Sequence, residues 1–175
     1  MMMTEQVCKE AEALEKILQE QQRLVVQLYE CVCGKEHALI ENDLSALKKD
    51  VESEEDLTLS FSEQEDRRQK RVRGLTALLR MTGKEPSLLE IAGMLEDREL
   101  ACRLKKAGKD LAESVFKVQQ KNHTVREILK LKSEYTETLL KLMTGNVDAK
   151  NHGYGVHGEI VESGEPDRGM YEVLI

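Results

Sequence analysis

The side chains with the widest chemical reach in this sequence are four cysteines, four histidines and one short basic run. Cys31 and Cys33 stand two residues apart in a helical pattern, so they point about 200° away from each other and cannot grip one ion together. With Cys8 and Cys102 they show no disulfide-framework spacing, and all four read as reduced thiols filling core or surface positions. His152 and His157 share a glycine-rich stretch and could reach one cation. No Cys or carboxylate at ligand spacing completes the set, so they read as a solvated pair, and neither metal nor cofactor is expected. The sequence has no phosphate-cradling glycine loop after a strand, no Cys-x-x-Cys, no His-Glu-x-x-His and no nucleophile elbow. Its carboxylates are those of solvated helix faces. The chain is not expected to be an enzyme.

Arg67, Arg68, Lys70, Arg71 and Arg73 put five basic residues into seven positions. Such a stripe could hold phosphates, and with the segment from Ser87 to Lys106 it defines an alternative reading as a helical nucleic-acid-binding regulator. On a helix, however, these residues spread round most of the circumference. Glu63, Glu65 and Asp66 precede them at i,i+3 and i,i+4 spacings that favour an ion-paired, solvated face. No aromatic residue is interleaved for base stacking, and the formal charge of −7 repels a polyanion on average.

The elements that must position these residues are long helices. The chain has 175 residues, of which 34% are charged and 3% aromatic, with no Trp. That composition predicts an all-α protein, an elongated antiparallel bundle of three long helices rather than a sphere. The first helix is expected at about 4–40, with Val7, Ala11, Leu14, Leu18, Val25, Leu28, Val32 and Leu39 as its inner stripe. Thr4 offers an N-cap, and Gly34 marks a kink or a frayed turn. Asn42 and Asp43 provide a turn and a cap for the second helix, about 43–82, which must fold back antiparallel over so short a link. Leu57, Leu59 and Phe61 alternate as a strand would, but helical runs flank them, and the helix is expected to continue to Gly83.

Pro86 reads as the first position of a short helix near 87–94, whose wording is locally similar to a helix-turn-helix segment without a compact recognition helix after it. The third long helix, 97–144, carries an apolar stripe down to Met143, interrupted at Asn122, with Gly145 placed for a left-handed C-cap. By spacing alone its last part, Leu131, Tyr135, Leu139, Leu142 and Met143, reads as bundle core in preference to a face for a partner helix. Residues 1–145 are expected to form the helical domain. Residues 146–175, with Gly153, Gly155, Gly158, Gly164, Gly169 and Pro166, are expected to form a flexible or docking tail. No run of 18 apolar residues occurs and the start lacks the pattern of a signal peptide, so a cytoplasmic protein without membrane insertion is expected. Spacing does not decide whether the long helices pair within one chain or in a homodimer.

Four motifs in order then resemble one family. They are the segment from Glu36 through Ala38, Leu39, Asp43 and Leu44 to Leu47; Glu65 with Arg68; Asn122 followed by Ile128, Leu129, Ser133, Glu134, Tyr135, Leu139, Leu140 and Leu142; and Tyr154-Gly155 with Gly158. They resemble the FlgN family of flagellar type III export chaperones, although Val125 stands where members often carry a second Asn. The resemblance implies an ATP-independent cytoplasmic chaperone for the hook-filament junction proteins FlgK and FlgL, preventing their premature self-association. It places binding of their C-terminal helical segments on Leu131, Tyr135, Leu139, Leu142 and Met143. It also implies docking to the export gate and its ATPase complex, for which Tyr154, the aromatic anchor of the tail motif, is the candidate.

Overall fold

The computed structural model describes residues 2–81, 86–144, 152–154 and 160–162. Four helices follow in order, α1 (Met2–Glu41), α2 (Leu44–Leu78), α3 (Leu88–Met94) and α4 (Arg98–Thr144), then two short strands, β1 (His152–Tyr154) and β2 (Ile160–Glu162). The chain divides into two units, Met1–Leu129 and Lys130–Ile175.

In the first unit, the link between α1 and α2 explains their antiparallel course. Asn42 adopts a left-handed φ of 58°. Its N–H reaches the Leu39 carbonyl at 3.4 Å and the Asp43 N–H reaches the Ala38 carbonyl at 2.9 Å, closing the last turn of α1. Asp43 Oδ1 then accepts the N–H groups of Ser45 and Ala46, both at 3.0 Å, and so caps α2. One residue closes the first helix and opens the second.

α2 ends four residues before its expected limit. Arg80 takes φ 52°, the Met81 N–H reaches the Thr76 carbonyl at 3.1 Å, and the Arg80 N–H reaches that of Ala77 at 3.2 Å. This is a Schellman turn built on arginine rather than on glycine; Gly83 lies outside the described residues. The alternating stretch is helical as expected: Phe61 is buried, Leu57 half-buried and Leu59 exposed. Two further expectations are corrected. α1 runs through Gly34 as uninterrupted α-helix, and a Cβ at Gly34 would collide with the Asp50 carboxylate, so the glycine makes room for that α2 side chain. Pro86 precedes the N-cap instead of entering α3: Ser87 caps it in a box with Glu90, whose Oε2 accepts the Ser87 N–H at 2.7 Å.

The α1 stripe recurs three and four apart from Ala11 to Leu39 only if Gln21 and Lys35 are counted in it, and both are buried, with 0% and 8% exposure. Each meets a polar partner on α2. Gln21 Nε2 donates to Glu65 Oε2 at 3.0 Å, and Lys35 Nζ lies 2.5 Å from Glu54 Oε2. Rising numbers on α1 thus face falling numbers on α2. α4 runs the same way as α1, since Glu15 pairs with Arg103, Gln22 with Ser114 and Glu36 with Lys121. The Glu36 carboxylate, hydrogen-bonded to Lys121, holds that ammonium above its ordinary pKa.

Two apolar cores lie along these helices. One joins Ala11, Leu14 and Leu18 of α1 to Leu75 of α2, Ile91 and Ala92 of α3, and Leu100 and Leu104 of α4. The other joins Val32 and Leu39 of α1 to Val125 of α4, flanked by Leu47, Val118 and Ile128. The up-down-up arrangement of three long helices is therefore as expected from the sequence. Asn122 is half-buried and makes no side-chain hydrogen bond among the described residues; the polar partners across the α1–α2 seam occupy other positions.

The second unit holds the end of α4 and the strand pair. β1 and β2 are antiparallel, with His152 opposite Glu162, Gly153 opposite Val161 and Tyr154 opposite Ile160. The fold remains all-α in its four helices, and this short strand pair is an addition in the segment expected to be a tail. Ile160 and Val161 are β-branched and suit a pleated ladder, a short-range signal that the glycine content of the segment outweighed in the sequence. Among the described residues no helix is long and apolar enough to cross a membrane.

Candidate functional site

The last turns of α4 present the apolar residues singled out in the sequence. At 100° per residue, Leu131, Tyr135, Leu139 and Leu142 fall within about 80° of arc, and Met143 lies about 40° beyond. Lys130, Ser133, Glu134, Glu137 and Lys141 occupy the far side. All five apolar residues are open to solvent: Leu131 is 64% exposed, Tyr135 66%, Leu139 40%, Leu142 75% and Met143 83%. Val125, earlier on the same helix, is only 4% exposed in the second core.

Thr136, Thr138 and Thr144 return their hydroxyls to the carbonyls of Lys132, Glu134 and Leu140 at 2.9, 2.8 and 2.8 Å. Their donors are satisfied within the helix, with Thr136 and Thr138 at the stripe's margins and Thr144 on the far side. A run of large apolar side chains flanked by satisfied polar groups can bind an amphipathic helix through i, i+4 and i+7 or i+8 anchors. It offers no nucleophile, acid–base pair or metal cradle. Groups of three or more His, Cys, Asp or Glu able to hold a metal do not occur among the described residues.

The other sequence candidates are scattered. Tyr154 lies on β1, paired with Ile160; His152 is on the same strand, and His157 and Gly145 lie outside the described residues. Of the basic run, Arg68 makes a bidentate bond to Glu65, with Nε to Oε2 at 2.7 Å and Nη2 to Oε1 at 2.6 Å. Burial raises the Glu65 pKa, but the hydrogen bonds from Arg68 and Gln21 outweigh it and hold the carboxyl below its ordinary value. Arg71 crosses to α1, with both Glu10 oxygens 2.8 Å from its Nη1. Arg67, Lys70 and Arg73 are exposed. The local ion pairing anticipated for the run therefore accounts for Arg68, while Arg71 binds a neighbouring helix.

All four thiols are free, Cys102 exposed and the others half-buried. Burial and the nearby carboxylates of Asp50 and Glu54 push the Cys31 thiol up, away from nucleophilic reactivity. What spacing did not reveal is that Gln21, Lys35, Glu54 and Glu65 form polar steps in the α1–α2 seam; the signal was the two seven-residue gaps in the apolar stripe of α1.

The family model described as FlgN protein matches residues 2–162, most of the chain. Neither the comparison with curated proteins nor that with solved structures gives a match.

Proposed function

The chain belongs to the FlgN family, whose members serve as chaperones in flagellar export, and from that premise we propose that it holds the hook-filament junction proteins FlgK and FlgL in the cytoplasm, prevents their premature self-association and delivers them to the export apparatus. The observation that carries this reading is the exposed apolar face of Leu131, Tyr135, Leu139, Leu142 and Met143. Each of these side chains still has area to remove from water, worth about 25 cal/mol per Å². An amphipathic C-terminal helix of FlgK or FlgL supplies the complementary stripe. Holding that stripe keeps the client monomeric, because the surface it would use for self-association is covered. No nucleotide is needed for such a cycle. Tyr154 docks at the export gate, separating delivery from client binding.

Calorimetric titration of the full chain with the C-terminal helical segments of FlgK and FlgL tests the reading. Saturable one-to-one binding with a negative heat-capacity change and little salt dependence is expected, lost in Leu139→Asp/Leu142→Asp. Absence of binding to both segments would refute it. Tyr154→Ala should abolish capture of the export gate and leave the titration unchanged; equal loss of both would sink the division of labour.

A further inference from the structure

A second surface lies on the other flank of the α1–α2 seam. One position before the seam residues of each helix, at helical spacing, stand Ala13 and Ile17 on α1 and Gly74 and Leu78 on α2, and these line a groove of about 760 Å³. Ala13, Gly74 and Ala77 are its smallest lining residues. The nearest foreign atom to a Cβ built on Gly74 is Glu10 Oε2, 4.0 Å away. From Gln6 to Ile17 the α1 wall is about 17 Å long at 1.5 Å per residue, room for about three turns of a guest helix.

The charge of this groove is opposite to that of the chain. Lys16, Arg67, Lys70 and Arg71 line it against a single acid, Glu10, while the whole chain carries −7. Arg71 is engaged by Glu10 at 2.8 Å, and among the described residues Lys16, Arg67 and Lys70 form no ion pair. The Glu10–Arg71 bond also fixes the groove's polarity. Lys16 lies beyond it along α1, and Arg67 and Lys70 lie beyond it in the same direction on antiparallel α2. Gly74 and Leu78 lie towards the opposite end. One end therefore gathers Lys16, Arg67 and Lys70 beside Ala13 and Ile17, and Gly74, Ala77 and Leu78 carry the apolar floor on to the other.

We propose that this groove docks an acidic helical segment of a partner protein, with carboxylates one turn apart meeting Lys16, Arg67 and Lys70 and an apolar ridge seated over Ala13, Ile17, Gly74 and Leu78. A phosphate backbone fits less well. It has no use for an apolar floor, the wall carries the Glu10 carboxylate, no aromatic side chain lines the groove for stacking, and the net charge opposes a polyanion. The groove lies wholly within residues 6–78 and shares no residue with the apolar face of α4.

The test is fluorescence anisotropy of the full chain with a labelled, end-blocked helical peptide of about 14 residues, bearing Glu at three positions one turn apart followed by Leu at i, i+4 spacing. A Glu-to-Lys version and an oligothymidine of equal charge serve as comparison probes. Saturable binding of the acidic peptide is expected, weakened about tenfold in Lys16→Gln/Arg67→Gln/Lys70→Gln. The reversal Lys16→Glu/Arg67→Glu/Lys70→Glu should transfer binding to the Lys peptide. Gly74→Met, which fills the floor at a position with room for a Cβ, should weaken the peptide without lowering helicity by circular dichroism. Unchanged affinity in the triple Gln variant, tighter binding of the oligothymidine than of the peptide, or no saturable binding below about 1 mM would each overturn the proposal. None of these groove variants should alter the calorimetric titration with the FlgK and FlgL segments, so the two sites stand or fall separately.

Discussion

Replacing Lys35 by Met should destabilise the helical unit by about 2–3 kcal/mol, and replacing its partner as well should restore most of the loss. The two side chains are 10% and 15% exposed, and Lys35 Nζ lies 2.5 Å from Glu54 Oε2. Removing the ammonium strands the Glu54 carboxylate in a site with little water. Breaking a fully buried pair costs about 3–5 kcal/mol, and the residual exposure here places the figure at or below the low end. Glu54→Leu should cost less, about 1–2 kcal/mol, because the four-carbon stem of Lys35 can carry its charge out to solvent. The double variant Lys35→Met/Glu54→Leu leaves no orphan charge and fills the seam with apolar volume. It should cost no more than about 1 kcal/mol against the parent, a coupling of about 2–5 kcal/mol. Urea denaturation of the full chain, followed by circular dichroism, measures all three. Single variants within about 0.5 kcal/mol of the parent would show a solvated, decorative pair. A double variant as damaged as the sum of the singles would show that Lys35 and Glu54 act independently. Either result refutes the reasoning.

Four further outcomes follow from the same geometry. Arg80 holds a left-handed φ of 52° that glycine adopts freely, so Arg80→Gly should stabilise α2 by about 0.5–1 kcal/mol in the same denaturation assay. Glu65 has a folded-state pKa below its ordinary value of 4.5, so its contribution is fully present above the unfolded value and is lost as pH falls through the folded one. Glu65→Gln should therefore cost roughly 1 kcal/mol at neutral pH, and its difference from the parent should vanish in acid, as read from denaturation curves across pH. Val125→Ala should cost about 1.5–2.5 kcal/mol of stability, whereas Leu142→Ala should change stability by less than about 0.5 kcal/mol and weaken the FlgK segment about tenfold by calorimetry. A thiol reagent should label exposed Cys102 well before Cys31, as resolved by mass spectrometry after partial reaction.

Sequence periodicity and local chemistry determined the four helices and the tight return between the first two. These are short-range matters: the apolar repeat selects the face, and Asn42, Asp43 and Ser87 carry their turn or cap chemistry in their own side chains. The order of the motifs likewise carries the resemblance to the FlgN family. Tertiary structure decided what spacing leaves degenerate. A stripe of Leu and Val three or four apart reads the same whether another helix covers it, as at Val125, or water does, as at Leu131, Tyr135, Leu142 and Met143, because exposure depends on what lies opposite. Gln21 and Lys35 looked like gaps in a core, and Glu65 and Arg68 like a local pair. Only the facing of α2 against α1 joins Gln21 to Glu65 and Lys35 to Glu54 in a part-buried polar seam. Lys16 and Ile17 carry no functional signal in the sequence, since the groove they share with Arg67, Lys70 and Gly74 joins residues some fifty positions apart in the chain, a distance that helical periodicity cannot cross.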